Sequence, residues 1–351
     1  MLDCEHFGEG FLSQLNIWAA EHCVPFNTTF ELTPFCNFRC VMCYIRLDKN
    51  QAEKQGEMLT ADQWVDIARQ LRDMGTLKLT LTGGEVFTHP DFWKIYSELN
   101  QMGFWIVILS NGYLINEDTM AKFRMYGMPH AVKLTLYGAS DKTYSKVCGV
   151  TDGFTRISEA IDLLKENGVP TTMTATVVRE NAADLQQMYH FAAEKKIPFQ
   201  HSVSVLKSSR GAENSAETSR LGVVDYSDEF TLDDFENSKF KFIKEPFSMC
   251  ASYRKSLFIT WNGNLQLCSF LSTPSIRLTG NISSDFNTLY KQLSKIKNPQ
   301  ECEACAYKVF CLRCPAILCT ESGHPEKIDP KFCETAKLLS DLYKTKKGIE
   351  L

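Results

Sequence analysis

No stretch of this chain reaches the roughly 18 uncharged apolar residues of a membrane helix. The N-terminal MLDCEHFGEG lacks the basic-then-apolar order of a signal peptide. Long basic runs are missing too, and the formal net charge is only −4. These absences argue against a membrane protein and against a nucleic-acid-binding surface. They predict a cytoplasmic protein whose thiols stay reduced. Against that background 14 cysteines read as metal ligands rather than disulfides. Cys36, Cys40 and Cys43 cluster early, and Cys250, Cys268, Cys302, Cys305, Cys311, Cys314, Cys319 and Cys333 fall in the last third. Cys148 alone lies between the two groups. Two metal-bearing regions separated by a scaffold are expected, with Cys4, Cys23 and Cys148 as buried free thiols.

The 351 residues suffice for two domains, or for one large domain with an appendage, and 44% hydrophobic with 23% charged residues is ordinary for a globular chain. Strand patterns at 28–33, 77–82, 105–110, 131–137, 171–178 and 199–206 alternate with helical ones. Thr60 and Gln63 have capping-box spacing, with Gly75 as a stop. Further helices are predicted from Pro90 to Gly103, over 116–126, through Ile157, Ile161 and Leu164 to Gly168, and around 183–195. Six β/α units predict a parallel sheet. A closed barrel of about 250 residues does not fit the segment, so a partial, TIM-like (β/α)6 barrel is expected over 27–206.

One face of these strands is polar: Thr29, Glu31 and Thr33; Thr80 and Thr82; Lys133 and Thr135; Thr172, Thr174 and Thr176; Ser202 and Ser204. Threonine favours strands by itself, but the shared alternation predicts a polar lumen.

The motif CxxxCxxC at Cys36, Cys40 and Cys43 follows the first strand, at the edge where parallel α/β folds bind ligands. A zinc site needs a fourth protein ligand, and residues 44–60 offer no Cys or His. A 4Fe–4S cubane on three thiolates leaves one iron open. LTGGE (81–85) ends the second strand: Gly83 and Gly84 permit close backbone approach, and Glu85 can pair with an ammonium. LSNG (109–112) ends the third strand and LTLYGAS (134–140) the fourth. In these motifs the chain resembles the radical S-adenosylmethionine (SAM) enzymes. The resemblance implies that SAM chelates the open iron, that Gly83, Gly84 and Glu85 hold its amino group, that Ser110 and Asn111 bind its ribose, and that Thr135 lies near its carboxylate. The family usually has an aromatic residue before the third cysteine. Met42 stands there, so either adenine packing differs or Tyr44 takes that role.

After Cys250 and GNLQLC, ending at Cys268, come Cys302-x2-Cys305-x5-Cys311-x2-Cys314 and Cys333. This is similar to the SPASM extension of radical SAM maturases, which holds two auxiliary 4Fe–4S clusters. By that resemblance Cys302, Cys305, Cys311 and Cys333 hold the distal cluster and Cys250, Cys268 and Cys314 the nearer one, which Cys319 closes or which stays open. Zinc ribbons share CxxC pairs. The implied organisation is an N-terminal helical segment (1–26), the barrel (27–206), a bridge (207–247) and a SPASM domain with a C-terminal helix (248–351). Arg210 in the bridge faces either the lumen or, the simpler expectation, solvent.

The resemblance implies a maturase that modifies a ribosomally made peptide oxidatively, through a thioether or carbon–carbon cross-link. Its cofactors would be SAM and three 4Fe–4S clusters, its reductant a flavodoxin- or ferredoxin-type protein. With about 26 residues before the first strand, leader recognition falls to another surface or to a separate leader-binding protein. A sulfatase-maturing, formylglycine-forming activity is the alternative, disfavoured because Tyr137 stands where that group commonly has Asp. A non-catalytic iron–sulfur electron carrier is the rival of another class.

Overall fold

A computed structural model describes residues 4–45, 47–208, 210, 216–222, 245–248, 250–311 and 313–348. Most of the expected 207–247 bridge lies outside the described residues. Helix α1 (Cys4–His22) precedes strand β1 (Asn27–Glu31), followed by α2 (Lys49–Gln55), α3 (Ala61–Asp73) and β2 (Lys78–Thr82). Next come α4 (Phe92–Gln101), β3 (Trp105–Ser110), α5 (Glu117–Tyr126), β4 (Ala131–Thr135), α6 (Asp141–Cys148) and α7 (Gly153–Glu166). Strand β5 (Thr171–Thr176), α8 (Leu185–Lys195) and β6 (Phe199–Ser202) complete the alternation. Among the described residues no helix is long and apolar enough to cross a membrane.

Local chemistry sets the element ends. Thr60 accepts from the Gln63 N–H while the Gln63 side chain accepts from the Thr60 N–H, a reciprocal cap that starts α3. Asn116 caps α5 through the Thr119 N–H at 3.0 Å. The helix predicted from Pro90 begins at Phe92, after Asp91.

Strands β1 to β6 pair in parallel in sequence order, forming the partial barrel. Leu79, Leu81, Ile106, Ile108, Val132 and Leu134 point outward and are buried beneath Trp64, Ile95, Leu99, Ile157 and Ile161 of the helices. Each such side chain contributes roughly 1.5–3 kcal/mol. The other strand face carries the threonines and looks inward.

The sheet continues where the sequence suggested a separate appendage. Strand β7 (Ser256–Ile259) pairs in parallel with β1, Asn27 opposite Ser256 and Phe30 opposite Ile259. Strands β8 (Asn264–Gln266) and β9 (Ile276–Arg277) add antiparallel, giving nine strands in the order β6-β5-β4-β3-β2-β1-β7-β8-β9. The β1 edge is thereby covered, which removes an open ladder of backbone groups. After the short α9 (Ala216–Ser219), three further helices, α10 (Ile282–Leu293), α11 (Pro315–Ser322) and α12 (Pro330–Lys347), carry the C-terminal region.

Arg210 corrects an expectation. It is buried, not solvated: its guanidinium pairs with the Glu31 carboxylate on β1 and donates to the Ser269 carbonyl at 2.7 Å. It also lies over the Phe258 ring at 5.1 Å and the Tyr44 ring at 5.8 Å. One side chain thus joins β1, the cysteine loop and the segment around Cys268.

Candidate active site

The loop after β1 carries Cys36, Cys40 and Cys43. Thr33 Oγ1 accepts the Phe35 N–H at 3.2 Å, and Cys36 Sγ accepts the Phe38 N–H at 3.3 Å. The Arg39 and Val41 N–H groups donate to the Cys148 and Val147 carbonyls at 2.8 and 2.9 Å. Those carbonyls end α6, where the last turn of a helix leaves acceptors unpaired. The loop is therefore held from outside by a helix that the sequence reading missed. Cys148 is fully buried, as expected of a lone thiol, but it is not idle: it acts on Cys40. That action, followed by burial, holds the Cys40 thiol well above its ordinary range. Burial does the same for Cys36. Such thiols ionise when a metal supplies compensating charge.

The Gly-Gly-Glu turn after β2 packs directly on this loop. The Gly84 N–H donates to the Thr33 carbonyl and the Glu85 N–H to the Phe35 carbonyl, both at 2.8 Å. A Cβ on Gly84 would lie 2.3 Å from the Phe35 oxygen, and one on Gly83 2.7 Å from the Thr33 oxygen. Only glycine permits that approach. Glu85, 1% exposed, accepts from Ser110 Oγ at 2.9 Å and from the Asn111 N–H at 2.8 Å. Burial pushes its carboxyl up to about 7. The Asn111 amide reaches Asn37 Oδ1 at 2.9 Å and Cys36 Sγ at 3.8 Å. The ends of β2 and β3 and the cysteine loop thus share one polar network.

These groups surround a cavity of about 270 Å³. Its lining includes Cys36, Cys40, Cys43, Gly83, Gly84, Glu85, Ser110, Asn111, Thr135 and Tyr44, every residue picked from the sequence for this end of the barrel. Tyr44 packs on Phe270 at 4.9 Å, and both line the cavity. Phe38, Leu109, Val205 and Phe270 also line it and were missed, because an apolar residue in a loop or strand carries no functional signal of its own.

The C-terminal cysteines fall into two neighbourhoods. The charges of Cys250 and Cys314 both act on Cys268, whose thiol burial lifts to about 11. Those of Cys302, Cys305 and Cys333 act on Cys311, lifted by burial to about 12. Arg313, 1% exposed, opposes the rise at Cys302 and Cys311 and had not been singled out. Cys319 points elsewhere: its sulfur lies 3.6 Å from Ser272 Oγ and 3.9 Å from the Thr273 carbonyl.

The Radical SAM superfamily profile matches residues 30–192. Residues 30–192 form a radical SAM domain. Over 165 residues the chain is 26% identical to the antilisterial bacteriocin subtilosin biosynthesis protein AlbA of Bacillus subtilis (strain 168), covering 47% of this chain and 36% of that protein. Over 185 residues it is 27% identical to the AdoMet-dependent heme synthase of Methanosarcina barkeri (strain Fusaro / DSM 804), covering 53% and 52%. The chain thus spans about half the length, or less, of these curated relatives. The crystal structure of Streptococcus suis SuiB bound to S-adenosylmethionine superposes with a TM-score of 0.63 at 16% identity, covering 92% of this chain and 79% of that one. That likeness extends the shared fold beyond the radical SAM domain into the C-terminal region.

The donor set of the radical SAM domain fits a 4Fe–4S cluster and SAM. Among the described residues three thiols and no fourth Cys or His line the cavity, and glycines form part of its wall. Among the described residues no three His, Cys, Asp or Glu side chains gather tightly enough to share one metal ion. Cys36, Cys40 and Cys43 line a volume instead, as one thiolate per iron of a cluster requires.

Proposed function

We propose that this protein is a radical SAM maturase that modifies a ribosomally made peptide oxidatively, forming a thioether or carbon–carbon cross-link. The observation that carries this reading is the shared cavity. Three thiols, the Gly-Gly-Glu turn and the Ser110–Asn111 strand end meet there, and a larger chamber adjoins it with Cys268 on its wall. When bound, the cluster and SAM supply a 5′-deoxyadenosyl radical by one-electron cleavage of the C5′–S bond.

The chain's own residues orient these groups. Cys36, Cys40 and Cys43 hold the cluster. Gly83 and Gly84 admit the SAM amino group to the strand end, where Glu85 pairs with it. Ser110 and Asn111 hold the ribose, Thr135 lies by the carboxylate, and Tyr44 against Phe270 offers a ring face for adenine. Cys302, Cys305, Cys311 and Cys333 would hold a distal auxiliary cluster, with Arg313 offsetting its negative charge. Cys250, Cys268 and Cys314 would hold a nearer one, open at its fourth iron, since Cys319 is engaged with Ser272 and Thr273. A cluster held there, beside the chamber that Cys268 lines, would supply a site for substrate binding or for electron acceptance. A flavodoxin- or ferredoxin-type protein would supply reducing electrons, and a separate leader-binding protein would present the precursor.

The formylglycine-forming reading needs a base where Tyr137 stands. Tyr137 acts on Cys40, and burial holds its phenol well above its usual range. A phenol so held keeps its proton and does not supply that base.

The test is anaerobic reconstitution followed by iron and sulfide counting, 5′-deoxyadenosine assay and mass spectrometry of candidate precursor peptides. About twelve irons per chain, four for each cubane, and a cross-linked product lacking two hydrogens are expected. Reduced, reconstituted protein that leaves SAM intact with its substrate present rejects the reading. A tetrapyrrole product rejects the peptide assignment.

A further inference from the structure

Below the SAM cavity lies a second one of about 860 Å³, lined by the inward faces of β1 to β4 and by β7. Tyr44, Thr82 and Leu109 line both cavities, so the two are contiguous. Cys268 lines it too. The charge of this chamber is one-sided: among the described residues Lys78, Lys133, Lys255 and His130 line it, and no Asp or Glu does. Glu31, the acid of the inward face of β1, is paired with Arg210.

The three lysines come from different elements: Lys78 opens β2, Lys133 is central in β4, and Lys255 precedes β7. Register places Lys133 beside Leu109, which borders the SAM cavity. Lys78 is partly buried, and that burial together with the Lys133 charge lowers its pKa. Among the described residues none of the three ammonium groups has a carboxylate within ion-pair distance. Lys78 and Lys255 are half-buried and Lys133 is exposed; like charges gathered on one open wall repel one another, and an anion that enters with the ligand relieves that repulsion.

We propose that the chamber takes an acidic segment of the substrate peptide, with Asp or Glu carboxylates seated on Lys78, Lys133 and Lys255 and the reacting residue directed toward Tyr44 and Thr82. The proposal rests on the reading of this site as one that modifies a peptide. It selects the substrate among peptides by charge: an acidic core enters, a basic one is repelled.

Equilibrium dialysis on the reconstituted holoenzyme with SAM tests it. The probes are three short, labelled, end-capped peptides alternating Gly with Glu, Gln or Lys. The Glu peptide should bind about tenfold tighter than the Gln peptide, and the Lys peptide weakest. The preference should fade as salt rises, because screening at 0.15 M acts over about 8 Å. Lys78→Gln combined with Lys133→Gln should abolish it, and Lys133→Glu should shift it toward the Lys peptide. The salt series on the unaltered protein decides the matter should those variants not fold. Equal binding of Glu and Gln peptides, tighter binding of the Lys peptide, no measurable binding of the Glu peptide, or a preference unchanged in folded variants overturns the proposal. Dithionite-driven 5′-deoxyadenosine formation by the unaltered holoenzyme, with the candidate precursor peptides present, is read in parallel. Its failure rejects the proposed function, whereas its success without charge preference rejects only the acidic substrate.

Discussion

The two cysteine regions are built in opposite ways. Cys36, Cys40 and Cys43 sit on one short loop clasped from three sides: by the Gly-Gly-Glu turn, by Asn111, and by the end of α6. Their geometry is set by a sheet and its core. Cys250 to Cys333 are drawn from turns, the end of β8 and the starts of α11 and α12, with few strands between them. A region so poor in regular structure has less apolar burial to hold its thiols together, so metal bound as proposed above would contribute more to its folding. The first site is held by the barrel's own strand ends. The second is closed largely on itself, apart from Cys268 at the chamber wall.

The largest effect that would break this comparison is at Cys36. Cys36→Ala should abolish 5′-deoxyadenosine formation and remove about four of about twelve irons, leaving the C-terminal metal in place. Iron loss from both regions, measured after reconstitution, would show that they are not independent. Arg210 tests their joint. Arg210→Ala leaves Glu31 buried and unpaired and should destabilise the protein by about 3–5 kcal/mol, whereas Arg210→Met with Glu31→Leu should be close to neutral. Thermal unfolding of both variants reads the difference.

A smaller effect concerns Glu85, which burial holds up to about 7. On the function proposed above, the SAM ammonium pairs with the ionised carboxylate. The Kd for SAM should therefore weaken by about tenfold as pH falls from about 8 to about 6, and Glu85→Gln should flatten that dependence. Without SAM the sign reverses for stability. A carboxyl with a raised folded pKa favours the native state below its unfolded value near 4.5, and this advantage is lost as pH rises through about 7. The smallest effect is at Cys319. Cys319→Ala should keep the full iron count, because its sulfur is turned to Ser272 and Thr273. Loss of iron there would mean that the nearer cluster has a fourth thiolate.

Much of the first site was legible in the sequence. Strand patterns at 77–82 and 105–110 match β2 and β3 within a residue, and each motif falls at a strand's C-terminal end. The capping box at Thr60 formed as written. The helix α6 was missed: DKTYSKVC is short and its apolar stripe is broken by polar residues. Missing it hid the hydrogen bonds from the Arg39 and Val41 N–H groups to its last carbonyls, which join residues far apart in the chain.

What the sequence determined by itself was therefore local. Alternating β/α periodicity, caps, glycine turns and cysteine spacing act over a few residues, and they specify the elements and the motifs they carry. Tertiary structure alone decided that β7 lies against β1, that Arg210 is buried on Glu31, and that three lysines from distant elements face one chamber. Those outcomes depend on which surfaces meet when the sheet curves and its edge is covered, and no spacing along the chain encodes that distance.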